Sequence, residues 1–375
     1  MTRVAFLVCH LTGTGHLVRS LALARAVGDL GAEVRVISGG RALPHLDHSD
    51  VGFQQLPPLL VEGFDFANLR RADGGIAGKA YLDERSRLIG AALTTFEPDV
   101  FVTESFPLGR RRLAAEFERA IGVVRNGQGH KRVVCSVRDV PEPPSRPARV
   151  AEAAARIEAL YDAVIVHGEE ALLPLTSIWP LPDDAAHKIR HCGYIGRPDR
   201  EGRRGEEVLV SVGGGALGRH LLAMAAKAAP MSARPWRLLV GGPDATDVTA
   251  RLRATASANL IVEPPRPDYG DLLARAACSV SLAGYNTVMD LASCRTPAIL
   301  VPFEEHGQRE QAMRAKALAD MPGITVLRAL DLTPEMLHRA VEAAIAAPRR
   351  PPWPFVRNGA ERAAKLLLQL ARGEP

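Results

Sequence analysis

Residues Ser281 to Ala315 read SLAGYNTVMDLASCRTPAILVPFEEHGQREQAMRA. A short apolar run, Cys278 to Leu282, has the length and composition of a buried strand. It breaks at Ala283-Gly284-Tyr285-Asn286-Thr287, and a helical pattern follows. A second apolar run, Ala298 to Val301, closes at Pro302-Phe303. Strand, turn, helix and strand in this order make a β-α-β unit, which builds a parallel sheet covered by helices. Ligands of such sheets gather beyond the carboxyl ends of the strands. Asp290 follows Thr287 by three residues, so both lie on one helical face near its start. A carboxylate there can accept two hydrogen bonds from a ribose diol. After the second strand come Glu304, Glu305, His306, Gln308, Glu310 and Gln311. Such a polar group is costly to bury without a ligand or water.

The same grammar extends outward in both directions. Glu207 to Val212, Trp236 to Val240 and Leu260 to Val262 read as strands, with a helix from about Arg219. Upstream, Gly193 to Gly205 (GYIGRPDREGRRG) is dense in Pro, Gly and Arg and reads as a linker. Before it, strands are expected at Val4 to Cys9, Glu33 to Ser38, Asp99 to Thr103, Arg132 to Val137 and Ala163 to His167. Helices are expected with Leu17, Leu21, Ala24 and Val27 on one face and a stop at Gly31, over Arg111 to Ala120, and over Arg149 to Tyr161. The expected fold class is α/β with two doubly wound, Rossmann-like domains facing an interdomain cleft. Residues 1–195 form the N-terminal domain and residues 196–355 the C-terminal one. A final amphipathic helix within 356–375 is expected to pack back on the first.

Both halves carry a glycine turn between strand and helix. Gly13-Thr14-Gly15-His16 follows the first strand, and its helix-start amides suit an anionic or oxygen-rich ligand. His16 there either caps the helix or projects as a base. The turn is not G-x-G-x-x-G, and Ser38-Gly39-Gly40 stand where a dinucleotide fold has its acidic residue, so a dinucleotide site is disfavoured. Gly213-Gly214-Gly215-Ala216-Leu217-Gly218 lacks the Lys-Ser/Thr of a P-loop, but its amides could cradle a diphosphate. Glu104, the pair Arg138-Asp139, and His167 end strands of the first half and should look into its cleft, the Arg-Asp pair being as readily structural as functional. Arg110-Arg111-Arg112 reads as a solvated helix start. The loop from Pro57 to Gly78 could form an apolar lip, a membrane contact or a mobile cover. Trp179, Trp236 and Trp353 read as packing anchors.

Composition narrows the classes. Of 375 residues, 47% are apolar and 24% charged, an ordinary globular balance. The net charge of +5 is dispersed, and no aromatic series interleaves with basic residues, so nucleic acid is not an expected partner. The five cysteines (Cys9, Cys135, Cys192, Cys278, Cys294) have no C-x-x-C spacing, which disfavours zinc or a disulfide framework. No clustered Asp-x-Asp occurs, so no metal site is expected. The expected location is the cytoplasm, with contact at the inner membrane face left open.

These motifs together resemble the donor-binding signature of GT-B glycosyltransferases, especially family 28, which includes the peptidoglycan N-acetylglucosaminyltransferases. The resemblance rests on the Gly284–Asp290 turn and helix, Pro302-Phe303 and the Glu310-Gln311 pair. It extends to the Gly13–His16 turn, Gly193, Arg197 and the Gly213–Gly218 turn. It implies transfer of a sugar from a nucleoside-diphosphate sugar, UDP-linked, to an unidentified glycan, lipid or small-molecule acceptor, with inversion and without a metal or other cofactor. It further implies that Asp290 binds the ribose and that Glu310 and Gln311 bind the donor sugar. Gly214, Gly215, Gly284, Asn286 and Thr287 would face the diphosphate, and Arg197 would approach the nucleotide. His16 would be the acceptor-side base, among Gly13, Gly15, Glu104, Arg138 and Asp139. The chain departs from the family in having Leu11-Thr12 before Gly13 and Arg314 where an Asn is usual. A nucleotide-sugar hydrolase of the same fold, an epimerase, and a non-catalytic nucleotide-sugar-binding module are the alternatives.

Overall fold

Apolar, β-branched runs such as Val4–Val8 are buried on both faces, as strands of a parallel sheet must be. The computed structural model describes residues 1–11, 13–44, 46–63, 65–213 and 217–374, with only the backbone of His306. Its chain divides into two compact units, residues 1–195 with 355–375, and residues 196–354.

The first unit is a seven-stranded parallel sheet. Its strands are β1 (Arg3–Val8), β2 (Glu33–Ser38), β3 (Gly52–Gln55), β4 (Val100–Glu104), β5 (Arg132–Arg138), β6 (Ala163–His167) and β7 (Ile189–His191). They lie in the order β3-β2-β1-β4-β5-β6-β7. The helices are α1 (Gly15–Asp29), α2 (Lys79–Phe96), α3 (Ala114–Arg125), α4 (Pro147–Leu160) and the short α5 (Leu175–Ile178) and α6 (Asp183–Ala186). The register pairs Leu7 with Thr103, so the carboxyl ends of β1 and β4 stand side by side. The strand order reverses between these two, which is where an open α/β sheet leaves room for a ligand.

The second unit has six parallel strands: β8 (Val208–Ser211), β9 (Trp236–Leu239), β10 (Leu260–Glu263), β11 (Cys278–Ser281), β12 (Ala298–Leu300) and β13 (Ile324–Val326). Their order is β10-β9-β8-β11-β12-β13, with the reversal between β8 and β11. Its helices are α7 (Arg219–Ala228), α8 (Ala245–Ala254), α9 (Tyr269–Arg275), α10 (Tyr285–Ala292), α11 (Glu310–Leu318) and α12 (Pro334–Ala346). Trp236 is fully buried in its core, among Val208, Leu222 and Leu238.

The C-terminal helix Gly359–Ala371 belongs to the first unit. Ala363, Ala364 and Leu367 are fully buried in the cluster that holds Leu17, Leu21 and Ala24 of α1. Its entry is pinned by backbone bonds, Tyr194 N–H to the Val356 carbonyl and Gly359 N–H to the Tyr194 carbonyl, each 2.9 Å. Gly193 makes this closure possible: its φ is +81°, and a Cβ there would lie 2.8 Å from Val356 Cγ1.

Beneath the carboxyl end of the first sheet sits a buried charge that composition does not reveal. Arg85 of α2 is fully buried and forms a two-pronged pair with Glu116 of α3, at 3.0 and 2.9 Å. Its remaining donors reach the carbonyls of Gly39, at 3.1 Å, and Pro57. One guanidinium therefore ties two helices to the segments that follow β2 and β3. The loop from Pro57 to Gly78 is less open than its composition suggests. Leu59 and Leu69 are buried, Leu60 and Arg70 pair as a β-bridge, and Phe66 and Ile76 are its exposed large apolar side chains among the described residues.

Candidate functional site

The first switch point gathers a polar cluster. β1 ends at Val8, the chain turns through Gly13 with φ +59°, and α1 starts at Gly15. No side chain caps the first amides of α1, so His16 is not held there as a cap. Its Nδ1 instead lies 2.6 Å from Oε1 of Glu104, the last residue of β4. A carboxylate only accepts, so Nδ1 carries the proton and Nε2 presents a lone pair. Nε2 has no hydrogen-bond partner among the described residues. Arg19, one helical turn after His16, donates to the same Oε1 at 3.0 Å and to the Gly15 carbonyl at 3.3 Å. Ser105 Oγ donates to it at 2.8 Å.

Electrostatics follow from that crowding. Burial holds the His16 imidazole at about 3; Glu104 pushes it up, and Arg110 and Arg19 push it down again. Burial alone would raise the Glu104 carboxyl. His16, Arg110 and Arg19 outweigh it and keep the group well below the usual carboxylate range. The resting pair is therefore a carboxylate and a neutral imidazole at any pH near 7.

Arg110 corrects the sequence reading. Arg111 and Arg112 are exposed, but the Arg110 side chain is only 12% exposed and lies 3.8 Å from Glu104 Oε2. Its backbone is left-handed, with φ +57°. Farther along the same edge, Asp139 is fully buried. It accepts from Val140 N–H at 2.7 Å and packs against Gly168, where a Cβ would lie 2.7 Å from its own. Arg138 is half-buried. His167 is buried, with Nε2 2.7 Å from Ser136 Oγ, and burial holds its imidazole at about 3. These positions frame the edge, while His16 and Glu104 meet directly.

The second switch point gathers the other set. Of the Gly213–Gly218 turn, Gly214 and Gly215 lie outside the described residues. Gly213 and Gly218 have φ near +78° and +76°. A Cβ at Gly218 would lie 2.6 Å from Val212 Cγ1, so this turn tolerates no larger residue there. Gly284 is the N-cap of α10, and no side chain caps that helix. Asn286, Thr287 and Asp290 are half-buried along it. Arg197 Nε pairs with Asp290 Oδ1 at 3.4 Å. Burial raises the Asp290 carboxyl, and Arg197 and Arg200 offset part of that rise. The Tyr269 hydroxyl is buried beside Ser211 and Asp290, a neighbour that the sequence did not signal.

Glu310 and Gln311 open α11. Gln311 Oε1 accepts from two backbone amides, Ala283 and Phe303, both at 3.1 Å. Those donors fix the amide orientation, so its NH2 group points elsewhere as a donor. Arg314 is buried; it donates to Glu310 Oε1 and to the Ala283 carbonyl, each at 2.8 Å. The residues after β11 and β12 are thus locked together by two side chains of one helix. Among the described residues no group of three or more His, Cys, Asp or Glu could hold a metal. No helix among them is long and apolar enough to cross a membrane.

Residues 210–366 match the glycosyltransferase family 28 C-terminal domain. The chain is 31% identical over 148 residues to the UDP-N-acetylglucosamine–N-acetylmuramyl-(pentapeptide) pyrophosphoryl-undecaprenol N-acetylglucosamine transferase of Synechococcus sp., covering 39% of this chain and 40% of that protein. It is 37% identical over 87 residues to the enzyme of the same name from Brucella anthropi, covering 22% and 23%. The matches thus span two-fifths or less of these relatives. In structure the chain is similar to Acinetobacter baumannii MurG, with a TM-score of 0.61 at 16% identity, covering 98% of this chain and 100% of that one. It is also similar to the spinosyn forosaminyltransferase SpnP, with a TM-score of 0.62 at 15% identity, covering 100% and 95%.

Proposed function

We propose, for a chain that carries a glycosyltransferase family 28 C-terminal domain within a GT-B fold, that it transfers a sugar from a UDP-linked donor to an acceptor hydroxyl, with inversion and without a metal. The observation that carries this reading is the 2.6 Å bond between His16 Nδ1 and Glu104 Oε1, which leaves Nε2 as a base at the switch point. The acceptor O–H gives its proton to Nε2 as its oxygen bonds to the anomeric carbon. The bond from that carbon to the diphosphate breaks, and both of its electrons leave with the phosphate oxygen. Glu104 then faces an imidazolium and stabilises it. A base held this low takes the proton late, once the anomeric carbon has made the hydroxyl acidic.

In this reading the second unit holds the donor. Asp290 takes the ribose hydroxyls, exchanging its bond to Arg197 for them. The uncapped amides at the starts of α7 and α10 face the diphosphate, where preorganised donors stabilise the charge of the leaving group. The Gln311 NH2 group and Glu310 meet the sugar. The similar transferases of Synechococcus and Brucella are named for UDP-N-acetylglucosamine, which supports a UDP-linked donor.

The test is His16→Ala, assayed with a panel of UDP-sugars and cell-extract acceptors. Transfer is expected to fall by about 10²- to 10⁴-fold, while UDP still raises the thermal midpoint as in the wild type. Equal loss of both would remove His16 from the role of base. Stoichiometric free sugar in the absence of acceptor would assign hydrolysis instead.

A further inference from the structure

Glu104 has more positive partners than one carboxylate needs. Its Oε1 takes three donors: His16 Nδ1 at 2.6 Å, Ser105 Oγ at 2.8 Å and Arg19 Nη2 at 3.0 Å. Its Oε2 lies 3.8 Å from Arg110 Nη2. A single buried carboxylate thus faces two arginines and an imidazole. Buried charges are ordinarily paired, because each one left unmatched is costly. Arg85 and Glu116, elsewhere in the same unit, match one to one.

Both arginines are held in place by the fold. Arg19 is buried, and its Nη1 donates to the Gly15 carbonyl at 3.3 Å. Its guanidinium therefore binds the carboxylate and also the backbone beside His16. Arg110 is largely buried, while Arg111 and Arg112 next to it are exposed.

Charge counting gives the consequence. With no arginine nearby, Glu104 would need a cation, and His16 is the titratable group in contact with it. The imidazole would then take a proton and keep it, and an imidazolium has no lone pair left at Nε2. With Arg19 and Arg110 present, the carboxylate is already balanced. Protonating His16 would set a third positive charge against one negative. Burial opposes that charge, Glu104 favours it, and Arg110 and Arg19 oppose it again. These three charged groups come from α1, from the end of β4 and from the turn after it. Asp139, His10 and His167 lie along the same edge, and burial lowers both of those imidazoles.

We infer that Arg19 and Arg110 are the resident counter-ions of Glu104, and that they leave His16 uncharged and free to accept a proton at Nε2. They are positioning residues, acting through Glu104 and His16. That the proton comes from an acceptor hydroxyl rests on the transferase reading above; the charge balance does not.

The test follows the His16 ring by imidazole-nitrogen NMR of the isotope-labelled full chain, with His16→Gln to assign its signals. Wild type is compared with Arg19→Gln, Arg110→Gln, the double variant Arg19→Gln/Arg110→Gln, and Arg19→Lys. At pH 7 His16 should be neutral in the wild type and charged, with both nitrogens protonated, in the double variant. Each single glutamine variant should titrate at higher pH than the wild type, and Arg19→Lys, which keeps the charge, should stay near it. UDP release from UDP-sugars with cell-extract acceptors gives the second readout. The ratio of the rate at pH 8 to that at pH 6 should be near one in the wild type and about tenfold or more in the double variant. A loss of packing alone would lower both rates and leave the ratio unchanged. Should the double variant fail to fold, the single variants carry the same prediction at smaller amplitude. A ring that stays neutral in every variant at pH 6 assigns its state to burial alone and overturns the inference, as does a lysine variant that behaves like the glutamine one. If the ring charges as expected but His16→Ala keeps transfer, the base falls and the counter-ions stand. If His16→Ala abolishes transfer and the ring stays neutral, the counter-ions fall and the base stands.

Discussion

Gln311 carries a structural role on one atom and, in the function proposed above, a recognition role on another. Its oxygen satisfies two amides, at the ends of β11 and β12, that would otherwise have no partner in it. Its NH2 group is what remains for a ligand. The two roles separate by substitution. Gln311→Glu keeps an acceptor for both amides and loses the donor, so stability should change by roughly 1 kcal/mol or less while the donor dissociation constant rises about tenfold or more. Gln311→Leu strands both amides and should cost about 2–6 kcal/mol. Urea unfolding and UDP-sugar titration of the two variants check this; equal stability loss in both would show that the oxygen is dispensable. Arg314 acts on the same frame from the other side, holding Glu310 and the Ala283 carbonyl.

At the scale of elements, the C-terminal helix is the part whose contribution is easiest to isolate. Leu367 is fully exposed in an unfolded chain and fully buried against α1 in the fold. Leu367→Ala should destabilise the first unit by about 2–5 kcal/mol, the range for a buried leucine replaced by a cavity. Its unfolding transition should move, and that of the second unit should not; a shift of both would show that the helix serves more than one unit. This helix was legible in the sequence because its apolar positions repeat every three to four residues. Strand–helix alternation placed β1, β2, β4, β5 and β6 to within about a residue. The short strands β3 and β7 and the helix α2 were not read. GFQQ and IRH are too short and too polar to show a period, and α2 carries Arg85 on its buried face. A buried arginine is invisible to any pattern that equates charge with surface, since its partner Glu116 is 31 residues away. Arg110 was misread for the same reason.

For the whole molecule, the depressed histidines are unevenly distributed. Burial lowers the imidazoles of His10, His16, His167 and His191, and all four belong to the first unit. The unfolded chain takes up protons as pH falls through about 6.5, while His16 and His167 in the folded chain resist until about 3. The stability these groups contribute is present above pH 6.5 and is lost on descent toward pH 3, at up to about 1.4 kcal/mol per pH unit for each proton. Glu104, also held low, adds to the loss below its unfolded value. Asp290, held high, lies in the second unit and acts in the opposite sense. Between pH 7 and 5 the first unit's urea midpoint should therefore drop markedly, and the second unit's should hold. Parallel movement of both would contradict the assignment of these histidines as neutral in the fold. His16 and Glu104 were each legible as strand- or helix-end residues, but their meeting was not. They are 88 positions apart, and the register of β1 on β4 brings them together.

The return of residues 355–375 to the first unit makes the second an insertion, bounded at residues 195/196 and 354/355. Inheritance of the two units is therefore not a matter of front half and back half. A single recombination crossover anywhere within 196–354 would import a foreign closing helix along with the foreign half. That helix would have to bring an Ala363-Ala364-Leu367 face matched to a native α1. An exchange of the second unit that leaves the first intact needs two crossovers, and Gly193, where the returning chain crosses, marks a residue that neither parent could replace.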